Sequence, residues 1–140
     1  MRPWLAGAAL LWSAALPGAA LAQGSLAEAA ERTRQAWRDH EPQAIVGHSA
    51  SVVLQIPGAD PSSPVDPAQA VELLRRYLRT AVERAVTVSA VREVEPGRGY
   101  AELQRRYVVA GTTDVRRETL FLGFRKTGAV WLLTELRSAP

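Results

Sequence analysis

Five side chains in the C-terminal third of the chain are of the types that do acid–base or anion chemistry: Arg105, Tyr107, Glu118, Glu135 and Arg137. They lie in the runs "LQRRYVV", "RRETLFLGF" and "VWLLTELR". Apolar residues recur at every second position there, so one face of three neighbouring strands can gather all five. A desolvated carboxylate in such a set, Glu118 or Glu135, has the chemistry of a general base, with Tyr107 as hydrogen-bond donor. Arg105 and Arg137 carry the forked donors that hold a carboxylate or phosphate. The set is also self-complementary: two acids among two arginines read as a satisfied ion-pair lattice at the wet edge of a core. A carboxylate beside arginine is a poor base near neutral pH. These residue types therefore favour a paired lattice or a ligand site over catalysis.

Other reactive chemistry is sparse. His40 lies between Asp39 and Glu41, and His48 at the start of the first strand. Neither comes with three ligands at metal-binding spacing, so no metal is expected. The chain has no cysteine, which excludes disulfides, thiolate-bound zinc, a thiol nucleophile and a lipidated cysteine. It has no nucleophile elbow, phosphate loop or dinucleotide fingerprint, so no cofactor is expected. Formal charge is +3, and all of the 17 basic residues except Lys126 are arginine. Arg-Arg pairs occur at 75–76, 105–106 and 116–117. Strand neighbours point to opposite faces, so the last two pairs do not by themselves make a one-sided patch. Glutamates are interleaved throughout, and nucleic acid is not an expected partner.

The elements that position these residues begin after a separate leader. "MRPWLAGAALLWSAALPGAALAQG" has a positive head at Arg2, an uncharged apolar run from Trp4 to Leu16, a Pro17-Gly18 break, and Ala20-Leu21-Ala22 as a cleavage site. This reads as a secretory signal peptide, residues 1–22, removed after Ala22; the alternative, a retained N-terminal anchor, is disfavoured by the Pro-Gly break and the Ala-x-Ala site. Residues 23–140 are then one domain, periplasmic or secreted, with no membrane association after cleavage. A chain of that length buries about two thirds of its unfolded surface, enough for a core without cross-links.

Ser25 and Glu28 form a capping box that opens an amphipathic helix through Trp37. Pro42 starts a short second helix ending near Gly47. Val52, Leu54 and Ile56 alternate as a strand stopped by Pro57-Gly58, and 57–67 is a loop that serves as the lid if the fold holds a pocket and is otherwise a plain crossover from strand to helix. Asp66, Pro67 and Gln69 cap a long helix whose apolar stripe runs from Ala70 to Val82. Four strands follow, about 85–95, 99–110, 115–126 and 129–137, joined by turns at Pro96-Gly97, Gly111–Asp114 and Thr127-Gly128. Tight turns set Ala90 opposite Leu103, Leu103 opposite Leu122, and Leu122 opposite Leu133. Glu118 then faces Arg137 with Tyr107 on its other side, and Arg105 and Glu135 flank Leu120. Opposed Cβ atoms stand about 5 Å apart. The other face carries polar residues together with Phe121, Val130, Leu132 and Leu136, a surface suited to self-pairing.

The expected class is α+β: a curved antiparallel sheet, formed by an N-terminal strand and a four-stranded meander, with two to three helices on its concave face. This order, closed by "GAVWLLTELR", resembles the nuclear-transport-factor-2-like superfamily, the cystatin-like cone, and within it small exported members classed as a domain of unknown function. The resemblance covers nearly all of residues 23–140 and rests on topology. It implies a cone with a pocket at its open end and an outer sheet face that often dimerises. Enzymatic members such as steroid isomerases and polyketide cyclases place an acidic base inside the cone. The expected function is a non-catalytic module that binds a small ligand, forms a homodimer through the outer face, or pairs with an envelope protein. The alternative is an isomerase, dehydratase or cyclase using Glu118 or Glu135 with Tyr107.

Overall fold

The structure, a computed structural model, describes residues 25–140; the leader segment lies outside them. Three helices, α1 (Leu26–Arg38), α2 (Pro42–Val46) and α3 (Pro67–Arg79), accompany five strands. The strands are β1 (Val53–Gln55), β2 (Ala81–Glu95), β3 (Arg98–Val109), β4 (Val115–Thr127) and β5 (Val130–Ala139). They form one sheet in the order β1-β5-β4-β3-β2. Neighbours are antiparallel except β1, which runs parallel to β5. The architecture is the expected α+β one, an unclosed curved sheet with helices on one face. No described helix is long and apolar enough to cross a membrane.

Local chemistry accounts for the helix starts. Ser25 Oγ accepts from the Glu28 amide at 3.1 Å, and Asp66 Oδ1 accepts from the Gln69 amide at 2.8 Å, with Pro67 in the first turn. Each cap satisfies a donor that the helix cannot. α3 stops at Arg79, earlier than its apolar stripe suggests. Ala81 and Val82 belong to β2, where they pair with Val109 and Val108. Here the ladder on β3 overrides an apolar spacing that helix and strand share.

Register departs from the turn-based expectation, for identifiable reasons. The Pro96-Gly97 turn sets Glu95 opposite Arg98 as expected, but β2 then carries irregularities at Glu93/Glu95, Val88/Ala90 and Glu83/Ala85. Each adds a residue, so Leu103 meets Val88 instead of Ala90. Between β3 and β4 the last pair is Val108–Val115, and the tail of β3 instead follows β2, with Ala110 N–H donating to Thr80 at 2.8 Å. Leu103 therefore meets Leu120 instead of Leu122. Both slips amount to two residues and keep the apolar face intact. The β4–β5 turn is Gly128-Ala129, with Thr127 opposite Val130. A further irregularity at Gly123/Phe124 leaves Thr134 as the extra residue of β5, and Leu122 meets Leu136. That odd slip turns Leu136 inward, fully buried beside Leu54, and turns Glu135 and Arg137 outward.

The core lies between helices and sheet: Ala30, Trp37, Val52, Leu54, Leu74, Leu78, Leu103, Leu120, Leu122 and Leu136 are almost wholly buried. At Gly99 a Cβ would stand 2.5 Å from Leu26 Cδ1, so the start of α1 rests on bare backbone of β3. Gly99→Ala is expected to cost about 1–3 kcal/mol through overpacking; urea denaturation measures it, and Leu26→Ala in the same chain should relieve part of the loss.

Candidate functional site

At one end of the concave face the apolar rows give way to charge. β3 supplies Arg105 and Tyr107, β4 supplies Glu118, β2 supplies Glu83 and α3 supplies Tyr77. Arg105 is directly opposite Glu118, not beside Leu120, and its side chain is only 1% exposed. Its Nε donates to Glu83 Oε1 at 2.8 Å and Oε2 at 3.0 Å, and Nη2 to Oε1 at 2.5 Å. Nη1 donates to Glu118 Oε1 at 3.0 Å and to the Tyr77 hydroxyl at 3.4 Å. The Tyr77 hydroxyl donates a short hydrogen bond to Glu118. The guanidinium carbon lies 3.8 Å from the centroid of the Tyr107 ring, 5.2 Å from Trp37 and 5.5 Å from Tyr77. One arginine thus bridges two carboxylates inside an aromatic box. Burial works to lower its pKa, but the Glu83 bond and the two carboxylate charges outweigh this and hold it above its ordinary value. Burial, then the bond to Glu118, pushes the Tyr77 phenol far above its ordinary range.

Glu83 escaped sequence reasoning because "AVERA" continues the helical stripe of α3; only the bulge at Arg84 turns it inward opposite Tyr107. His40, in the α1–α2 link at φ 52°, reaches the same carboxylate, with Nε2 3.1 Å from Glu83 Oε1. That contact ties the helical layer to the sheet. His48 is exposed. Among the described residues no cluster of three histidines or acids could hold a metal.

Of the five residues singled out from sequence, Arg105, Tyr107 and Glu118 come together. Glu135 and Arg137 do not: both lie on the convex face, opposite Gly123 and Phe121, because of the extra residue at Thr134. Arg137 covers the Phe121 ring at 4.6 Å. The expected Glu118–Arg137 pair is therefore replaced by Glu118–Arg105.

Above the cluster opens a cleft of about 440 Å³, lined by Pro57, Arg76, Tyr77, Arg105, Tyr107 and Arg116 among others. Pro57 brings the 57–67 loop to its rim. Arg116 has no acidic partner within 4 Å among the described residues, and Arg76 meets only the half-buried Glu72, at 3.4 Å. These two arginines are the functional candidates that sequence reasoning missed. Both belong to Arg-Arg dipeptides, and only register and helix phase select which member faces the mouth.

No protein-family profile and no curated protein matches the chain. Solved structures do. A ketosteroid isomerase-like protein from Erwinia carotovora atroseptica superposes with TM-score 0.65 at 15% identity, covering 82% of this chain and 95% of that one. A protein with a ketosteroid isomerase-like fold from Catenulispora acidiphila, in complex with trimethylamine, gives 0.62 at 14% identity, with 83% and 87% covered. A domain of unknown function with a cystatin-like fold from Nostoc punctiforme gives 0.57 at 11% identity, with 80% and 72% covered. With helices on the concave side of a curved meander and a cleft at its open end, the chain has the nuclear-transport-factor-2-like, cystatin-like cone fold.

Proposed function

We propose that the chain is an exported, non-catalytic ligand-binding domain whose cone mouth takes a small organic anion. The observation that carries this reading is the division of labour at the mouth. Glu118, the one sequence-derived acid inside the cone, already accepts from Arg105 and Tyr77. It has no idle role as a base. Arg76 and Arg116, by contrast, line the open cleft together with Tyr77 and Tyr107. Forked donors in a cleft with aromatic lining suit a carboxylate attached to a flat or apolar body. The same division argues against an isomerase, dehydratase or cyclase built on Glu118 or Glu135, since the latter lies outside the cone.

Benzoate is the first probe. Calorimetric titration of the purified protein should show one saturable site that weakens with salt, and Arg76→Gln/Arg116→Gln should weaken it at least about tenfold. Binding by benzyl alcohol as strong as by benzoate would remove the anion requirement. No saturable binding by either would remove the mouth as a site for such ligands.

A further inference from the structure

The Arg-Arg dipeptides of β3 and β4 split between the two faces of the sheet. Arg105 is buried within the cone and Arg116 lines its mouth, while Arg106 and Arg117 stand exposed on the convex side. Pairing sets Arg106 directly opposite Arg117. Neither has a carboxylate within 4 Å among the described residues. Like charges directly opposed on a sheet repel, so this pair is destabilising until an anion bridges it. Arg98 and Arg125 are opposed in the same way on the same ladder, and only Arg98 meets an acid, Glu95 at 2.9 Å. The two pairs are separated by about 26 Å of extended strand, at roughly 3.3 Å per residue.

What lies around these pairs narrows the partner. Beside Arg106 and Arg117 runs an apolar row, Val82–Val108–Val115, in which Val82 and Val115 are 45% and 59% exposed. A shallow cleft of about 370 Å³ adjoins the arginines, with Thr87 and Gln104 as further polar lining. Between the arginine pairs a ladder crosses four strands. Arg92 lies over Tyr100 at 5.7 Å, Tyr100 stacks on Phe121 at 6.2 Å, and Arg137 covers Phe121 at 4.6 Å. The rings are thus capped by the protein's own arginines and offer no open platform for nucleic-acid bases. A small anion reaches one arginine pair and not the other. A second copy docked face to face brings one net positive face against another, since the arginines outnumber Glu95, Glu102 and Glu135 there.

We propose that the convex face, centred on Arg106 and Arg117, docks an extended acidic segment of a partner protein. Its carboxylates bridge the opposed guanidiniums, and an apolar side chain next to them rests on Val82 and Val115. This site is on the opposite side of the sheet from the mouth and does not depend on the ligand proposed there.

Fluorescence anisotropy tests it with a labelled peptide of alternating glutamate and valine, against the same peptide carrying glutamine. The glutamate peptide should bind at low salt and weaken steeply as salt rises. Arg106→Gln/Arg117→Gln should lower its affinity about tenfold or more, while Arg76→Gln/Arg116→Gln leaves it unchanged. Both replaced arginines are exposed, so the outer variant should melt at or above the parent temperature. The proposal is overturned if the glutamine peptide binds equally well, or if the outer variant binds like the parent. It is also overturned if phosphatidylglycerol vesicles or a single-stranded oligonucleotide bind through these arginines and the glutamate peptide does not.

Discussion

Arg105→Ala is expected to destabilise the protein by about 3–5 kcal/mol, the usual cost of removing one partner from a buried ion pair. The substitution strips Glu83 and Glu118 of their shared cation where their side chains are 5% and 11% exposed. Two like charges then face each other in a poorly solvated space, and the aromatic box loses the group it encloses. For a domain of this size that loss is a third or more of total stability, and the melting temperature should fall by roughly 10 °C or more. Two companions separate the causes. Arg105→Lys keeps the charge but cannot span both acids with a planar fork, so it should recover only part of the loss. Replacing the triad together, as Glu83→Leu/Arg105→Met/Glu118→Leu, removes the unpaired charges and should recover most of it. A parent-like melting curve for Arg105→Ala would falsify the assignment of this cluster as the structural centre of the cone.

Trp37→Ala should cost about 3–5 kcal/mol by a different route. Trp37 is fully buried on α1, meets the Tyr77 ring edge-on at 6.0 Å between centroids, and flanks the Arg105 guanidinium. Truncation opens a cavity at the junction of α1, α3 and the sheet. Trp37→Phe should cost much less, about 1–2 kcal/mol. It retains an aromatic wall and deletes an indole N–H that has no hydrogen-bond partner among the described residues. Urea denaturation of the two variants decides it; equal losses would show that aromatic packing at this position contributes little.

What could be read from the residues was whatever short-range chemistry dictates. Ser25, Asp66 and Pro67 announce two helix starts, and Pro96-Gly97 announces a turn, because caps and turns depend on only a few neighbouring positions. The alternation of Leu103, Leu120, Leu122 and Leu133 marked the core face correctly. Bulges were not legible. An extra residue in a strand changes the face of everything beyond it while leaving composition untouched. Thus Arg84 brings Glu83 into the cluster, and Thr134 expels Glu135 and Arg137 from it. Arg116, by contrast, shares the face of Glu118 by simple alternation, and the two-residue slip before β4 changes only its partner on β3, which becomes Tyr107. Part of the site was visible as residue types, and its membership was settled by two unpaired positions, Arg84 and Thr134.

β1 is only three residues long, and its sole partner in the sheet is β5, the last of the five described strands to be synthesised. Leu54 and Leu136 can meet only after some eighty intervening residues have been made. A chain still short of its final strand therefore exposes Leu120, Leu122 and Leu54 together, an adhesive surface at the moment of synthesis. Such long-range closure predicts slow folding for so small a domain. It also makes any process that keeps the nascent polypeptide extended until β5 has emerged a natural ally of this topology.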